Sequence, residues 1–159
     1  MTVSILQDEL CKELEAIFSN QKFKTPMGEK NIKAYKQYLP LNGEDEERED
    51  NEELHPYIVV RVVDGNSEIS KSECNILLII GIYDNDRKMQ GYKMLLNIIN
   101  DIQSRFIENP VLAEQFVANQ KIIWTLQEED ADETWPYFYG GMYLNFETAG
   151  VGRGWNDYT

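Results

Sequence analysis

Residues 73–83 read ECNILLIIGIY and form the strongest strand signal in the chain. One face of a strand over this stretch would carry Cys74, Ile76, Leu78, Ile80 and Ile82. The opposite face would carry Leu77, Ile79 and Tyr83, so the middle of the strand is apolar on both sides. An antiparallel sheet with a single helical layer leaves its other side in water. Something therefore has to cover the second face, and a partner subunit is a candidate.

Two amphipathic helices are predicted around this strand. Apolar residues at helical spacing predict one helix over residues 4–18 and a longer one over residues 89–106. Asp86 is the expected N-cap of the longer helix. Asn109-Pro110 ends that helix and is expected to open a short one over residues 111–118.

Further strands complete the predicted fold. Alternating side chains predict strands over residues 56–63, 121–127 and 137–147, and a weaker pattern predicts one over residues 32–39. Asp64-Gly65-Asn66-Ser67 is turn chemistry, and Gly140-Gly141 suggests a bulge in the last strand. We therefore expect an α+β fold, an antiparallel (mixed) sheet of about four to five strands with helices packed on one face.

Length and charge limit the function. The 159 residues suit one domain, predicted over residues 1–147 and followed by a flexible arm at 148–159. The net charge of −13 argues against a basic nucleic-acid binder and against binding to an anionic membrane. No signal peptide and no run of 18 apolar residues is found, which predicts a soluble protein made in a cytoplasm.

More than half of the net charge lies in one predicted loop, residues 43–53, where eight acids and one arginine give −7. Such a block repels itself and is expected to be a solvated loop. A role in repelling or mimicking nucleic acid is the alternative. The candidate residues for that role are Glu44, Asp45, Glu46, Glu47, Glu49 and Asp50.

The residues offer little catalytic chemistry. His55 is the only histidine and is expected to face solvent at the start of a strand. Cys74 lies on the apolar face of its strand, so we expect it, like Cys11, to be a buried, reduced thiol. One histidine and two distant cysteines do not make a zinc site. We predict no enzymatic activity and no cofactor.

Two features of the C-terminal part stand out. Nine of the 18 aromatic residues lie within residues 120–159, either filling the core or forming an interface. The glycine-rich run at 150–154 superficially suggests a phosphate cradle, but no helix follows it, and a flexible arm is the better interpretation. Trp155 and Tyr158 are unusual on an idle arm, because large aromatic side chains usually find a burial site.

Taken together, these elements resemble the tail terminator (tail completion) proteins of long-tailed bacteriophages and phage-tail-like particles. The resemblance covers residues 2–147. It rests on the N-terminal helix, on His55-Pro56-Tyr57-Ile58-Val59-Val60 after an acidic loop, on the strand from Ile76 to Tyr83 and on the long helix. It continues through residues 124–128 and the closing Trp135-Pro136-Tyr137-Phe138-Tyr139-Gly140-Gly141. The acidic insertion is longer than this family leads one to expect.

The resemblance implies a virion structural protein without enzymatic activity or cofactor. It implies a homo-oligomeric ring, usually a hexamer, on the head-proximal end of the tail tube, assembled in the cytoplasm of the bacterial host. The ring ends tube polymerisation and docks the head. Its partners would be the tail tube protein, the head-completion, neck or collar protein and, in a contractile tail, the sheath protein. No sequence-specific nucleic acid and no membrane is implied.

In this interpretation two groups of residues become candidates. The acids at 44–50 would line or rim the channel and repel passing DNA. The subunit-interface candidates are Leu77, Ile79, Tyr83, Tyr137, Tyr139, Tyr143, Arg153 and Trp155. The alternative function is a small acidic DNA mimic that inhibits a nucleic-acid-binding enzyme, although such mimics usually spread their carboxylates along a helix or sheet face rather than in a loop.

Overall fold

The computed structural model describes residues 2–41, 52–127 and 131–149. In these ranges the helices are α1 (Val3–Ile17), α2 (Tyr92–Glu108) and the single turn α3 (Ala131–Thr134), with a 3-10 turn at Glu52–Leu54. The strands are β1 (Phe23–Thr25), β2 (Gly28–Lys30), β3 (Lys33–Lys36), β4 (Tyr57–Ser67), β5 (Lys71–Tyr83), β6 (Val111–Leu112), β7 (Phe116–Ala118), β8 (Ile123–Leu126) and β9 (Tyr137–Ala149).

One sheet of seven strands organises the described part of the chain. Its order is β3-β4-β5-β9-β7-β6, and β8 pairs with β9 beside β7. The central strand β5 runs antiparallel to β9 along its whole length and to β4 over Ser72–Gly81, whereas β3 is parallel to β4. The α+β fold with a mixed sheet is therefore confirmed, and the sheet has more strands than the four to five predicted.

Both long helices pack on the same face of this sheet, which we call the inner face. Leu10 and Leu14 of α1 and Ile99 and Ile102 of α2 belong to one buried cluster with the inner-face side chains of the sheet. From β5 that cluster contains Cys74, Ile76, Leu78, Ile80 and Ile82, as the alternation predicts. The inner face thus supplies the core, and the helices position the opposite face, which we call the outer face.

Gln37 protects the edge of β4 beyond the end of β3. Its side-chain amide donates to the Val62 carbonyl at 3.0 Å and accepts from the Val62 N–H at 2.9 Å, as a neighbouring strand would. Gln7 of α1 donates to the Gln37 side-chain oxygen at 3.0 Å and fixes the orientation of the amide. Gln37 has a φ of 69°, which turns the chain away from the sheet at this point.

The stretch Asp64–Ser67, predicted as a turn, is part of β4. The strand continues through a register shift between Val62 and Asp64, and the reversal comes later, where Glu68 N–H donates to the Lys71 carbonyl. Gly65 permits this pairing, because a Cβ there would lie 2.5 Å from the Glu73 carbonyl oxygen. Turn composition was misleading because polar residues on the outer side of a strand satisfy each other across the sheet.

The longer helix begins at Tyr92, later than predicted, and Asp86 is not its N-cap. Asp86 instead accepts a hydrogen bond from the Lys88 N–H in a local turn, and Met89 has a φ of 60°, which a right-handed helix cannot contain. The N-cap residue of the helix is Gly91, where a Cβ would lie 2.5 Å from the Phe138 ring. Close packing of the helix start on the last strand therefore decides where the helix begins.

Residues 111–118 form the β6–β7 hairpin, and the predicted short helix is wrong. Leu112, Phe116 and Ala118 are buried while Val111 and Val117 are exposed, which is a period of two rather than of 3.6. Ala113 and Glu114 have φ values of 53° and 60°, so the chain reverses between the two short strands. The hairpin forms because its inward side chains complete the core at the C-terminal end of α2.

The last strand is regular, and the bulge predicted at Gly140-Gly141 is absent from it. Both glycines pair in register with Ile80 and Ile79 of β5, and β8 pairs with them on the other side. The strand also extends beyond the predicted domain boundary at residue 147, since Thr148 and Ala149 pair with Ser72 and Lys71. The remainder of the predicted arm, residues 150–159, lies outside the described residues.

Replacing the Gln37 amide tests the edge that it protects. In Gln37→Ala the Val62 N–H and carbonyl lose their partner, so the free energy of unfolding should fall by about 1–3 kcal/mol. Gln90→Ala is the control, because the Gln90 amide makes only a local bond to the Lys88 carbonyl. Urea unfolding of both variants checks this, and equal effects would show that Gln37 has no special role.

Candidate functional site

The outer face is the surface on which the predicted interface residues meet. Among the described residues, both long helices lie on the inner face, so neither covers the outer one. Register places Leu77 of β5 opposite Tyr143 of β9, and Tyr83 opposite Tyr137, so these candidates share one face of the sheet. Leu77, Ile79, Tyr83, Tyr137 and Tyr139 are half-buried, whereas Tyr143 is 49% exposed.

One end of this face is closed by an aromatic cluster consisting of His55, Tyr57, Tyr83, Tyr137 and Tyr139. The His55 ring lies 4.4 Å from the Tyr137 ring, 4.8 Å from the Tyr57 ring and 5.7 Å from the Tyr139 ring, centroid to centroid. His55 is only 1% exposed. The prediction that it faces solvent is therefore wrong, because the residues before Pro56 fold back over the sheet instead of leading away from it.

Tyr57 lies at the bottom of this cluster, against the sheet. Its ring lies over Gly81 of β5, where a Cβ would come within 2.6 Å of it. Burial, and the neighbouring Tyr139 hydroxyl, raise the pKa of Tyr57 well above its ordinary value, so the phenol stays neutral. Tyr57 and Val59 are buried outside the main core, and they form a small second core under the chain's own His55.

The middle of the outer face is open and mostly apolar, with Arg61 of β4 beside Leu77 of β5. Val63 is 53% exposed, Tyr143 is 49% exposed and Ile123 of β8 is 51% exposed. Ile123 pairs with Tyr143, which in turn pairs with Leu77, so an apolar row crosses three strands. Contiguous apolar patches on protein surfaces are a common feature of interaction sites.

The opposite end of the outer face is polar. Asn75 donates to the Asp64 carboxylate at 2.7 Å, and Asn145 donates to Asn75 Oδ1 at 2.8 Å, so three side chains form a ladder across β4, β5 and β9. Beyond it Lys71 contacts Glu73 at 3.3 Å. The apolar area is therefore bounded by an aromatic cluster at one end and a hydrogen-bonded polar ladder at the other.

Two groups of sequence candidates cannot be placed. The acids Glu44, Asp45, Glu46, Glu47, Glu49 and Asp50 and the arm residues Arg153 and Trp155 lie outside the described residues.

Ile123 and Trp124 were missed as surface candidates, and Trp124 is 44% exposed. The alternation of residues 121–127 could have identified Ile123, because it puts that residue on one face of the strand with Thr125.

The two thiols are buried and free of disulfides, as expected. Burial raises the pKa of Cys11 to about 11 and also raises the pKa of Cys74. A thiol is a nucleophile only as its thiolate, so both side chains are suited to packing rather than to chemistry.

An alanine at Gly81 tests the second core. Gly81→Ala should lower the free energy of unfolding by about 1–3 kcal/mol, because the Tyr57 ring is enclosed and cannot move away from the new methyl group. Gly141→Ala is the matched control on the adjacent strand, since its Cβ would meet the nearest atoms only at 3.5–3.6 Å. Thermal and urea unfolding measure both, and an equal loss in the two variants would contradict this packing.

Thiol reactivity tests the burial of the cysteines. At pH 8 a thiol of pKa about 11 is about one part in a thousand thiolate, so native protein should react slowly with a disulfide reagent. The same protein in guanidinium should react at both cysteines within the dead time of an ordinary thiol assay. Labelling of native protein at the unfolded rate would show that the thiols are accessible.

No protein-family model matches the chain, and no curated protein matches it. Within residues 2–41, 52–127 and 131–149, no helix is long and apolar enough to span a membrane. In the same ranges, no three potential metal-ligating side chains come together. The outer face is thus the feature of the described structure from which a function can be argued.

Proposed function

We propose that this chain is a structural subunit that assembles with copies of itself into a ring and caps the head-proximal end of a phage-type tail tube. The apolar row on the outer face is the observation that carries this proposal. Its side chains are large and adjacent across three paired strands, and two of them, Tyr143 and Ile123, are about half exposed. A surface of this kind favours a permanent partner over solvent.

The surroundings of the row support a protein partner. Tyrosine is enriched at protein interfaces, because its ring packs while its hydroxyl stays hydrated. Tyr83, Tyr137, Tyr139 and Tyr143 all lie on this face. The aromatic cluster and the polar ladder bound the apolar area, so a neighbour that packs on it meets a preformed surface.

Ring assembly is the form of association that we propose. A contact between two different patches closes into a ring when the rotation between copies divides a full turn. The element order that resembles tail terminator proteins supports the tube end as the place of assembly. The ring would then be part of the virion, formed in the host cytoplasm, with the tube, neck or collar and, in contractile tails, sheath proteins as its partners. The net charge of −13 suits a channel that passes DNA without binding it.

Introducing negative charge on the outer face tests this function. Tyr143→Glu combined with Ile123→Glu should abolish capping of tail tubes assembled from the cognate tube protein, because two carboxylates would be buried in the contact. Ile107→Glu is the control, since Ile107 is 51% exposed on α2, an inner-face helix. Negative-stain electron microscopy of tube ends measures capping.

The outcomes separate clearly. We expect capped tube ends with the original chain and with Ile107→Glu. We expect open, growing ends with the double variant. Circular dichroism of the double variant confirms that it is folded, which its exposed positions favour. Failure of the original chain to bind tube ends, or full capping by the double variant, would overturn the proposal.

A further inference from the structure

Strand β8 presents an open, apolar edge. In the part of the chain that the structure describes, β8 pairs with β9 alone, and no strand lies on its other side. Its side chains Ile123 and Trp124 are 51% and 44% exposed, and Lys121 is the one base within residues 121–127. Folded proteins usually block such an edge with a charge, a proline or a covering segment, because it otherwise accepts another strand.

A cavity adjoins this edge on the inner-face side. Its volume is about 140 Å³, and its walls include Met89 before α2, Tyr92 and Leu95 from the start of α2, Leu126 from β8 and Phe138 from β9. An apolar cavity of about 150 Å³ accommodates a benzene ring. An extended segment that added to β8 would place alternate side chains on this side, so one aromatic ring could enter the cavity.

The chain itself contains a segment with the required pattern. Residues 150–155 read GVGRGW, with glycine at every second position and Val151, Arg153 and Trp155 between them. In an extended conformation all three side chains lie on one face, and the other face is bare. Glycine in a strand suits a place where another backbone approaches closely. This segment directly continues β9, which ends at Ala149.

The segment from Ala149 to Trp155 is too short for Trp155 to enter the cavity of its own chain. Ala149 lies ten residues along β9 from Tyr139, which also lines the cavity, and ten strand residues span about 33 Å. The six residues from Ala149 to Trp155 reach at most about 21 Å. A second copy has no such restriction.

Charge favours the same arrangement. The connection after β8, residues 127–134, contains five acids and no base, and Glu133 in it is exposed. Arg153 is the only base within residues 150–159 and lies two positions from Trp155, on the same face of an extended segment. A segment that runs antiparallel to β8 with Trp155 beside Leu126 would carry Arg153 past the end of β8, in the direction in which the acidic connection leaves the strand.

We propose that residues 150–155 of one copy add as a strand to the β8 edge of a second copy, with the Trp155 ring in the cavity between β8 and α2. This contact uses different surfaces of the two copies, so it joins them head to tail. It rests on the self-association proposed above and specifies its direction. Each copy then donates one segment and accepts another.

Peptide binding tests the proposal independently of assembly. The receptor is the full chain carrying Trp155→Ala, and the probe is a fluorescent peptide of residues 148–159 followed by anisotropy. We expect saturable binding, weakened at least about tenfold by Trp155→Ala in the peptide and also weakened by Arg153→Gln. In the receptor, Leu126→Trp fills the cavity and should also abolish binding. No saturable binding, or equal binding of the Trp155→Ala peptide, overturns the proposal whether or not the Leu126→Trp receptor folds.

Cross-linking tests the direction between copies. Tyr92→Cys in one tagged full chain and Asn156→Cys, which keeps Trp155, in a differently tagged one should give a mixed disulfide dimer on oxidation. Met27→Cys, at a position 95% exposed in the β1–β2 turn, is the control and should not cross-link. A chain that carries both of these cysteines and forms only an intrachain disulfide overturns the proposal. If tubes are capped normally while peptide binding and cross-linking both fail, this inference is wrong and the proposed function stands.

Discussion

The central strand β5 is the constraint on which the rest of the structure depends. It is paired with β9 along its whole length and with β4 along most of it, and it is apolar on both faces in its middle. Two helices cover the inner face and bury five of its side chains completely. Among the described residues, the segment before β4 packs on one end of the outer face, and side chains in the middle of that face stay exposed.

The segment before β4 shows how far a single copy can cover that face. His55 lies among tyrosine rings at the end where β4 and β9 begin, and Tyr57 fills the space above Gly81. This second core ends where side chains become exposed, at Val63, Tyr143 and Ile123. The described chain has nothing further to place there, and it is at this boundary that assembly is proposed to continue the packing.

Two of the sheet's edges, at β3–β4 and at β8, are protected differently. At the β3–β4 edge, the Glu15 carboxylate accepts the Ala34 N–H at 2.9 Å, and the Gln37 amide occupies the backbone groups of Val62. Lys36 is held by Asp8 at 2.7 Å on the same side. Side chains thus block that edge against further strands. The β8 edge has no comparable protection in the described residues, and this asymmetry agrees with a contact that joins copies in one direction.

The sequence by itself determined the α+β class, both long helices, the central strand and the face of each of its residues, because periodicity reports burial directly. It also grouped Leu77, Ile79, Tyr83 and the tyrosines of β9. It did not determine where α2 begins, that residues 111–118 are a hairpin, that Asp64–Ser67 stay in a strand, or that His55 is buried. Those features depend on close approaches between distant segments, such as Gly91 against Phe138 and Gly65 against Glu73, and on the folding of His55 over the sheet. Local composition contains no information on such contacts, so only the tertiary structure decided them.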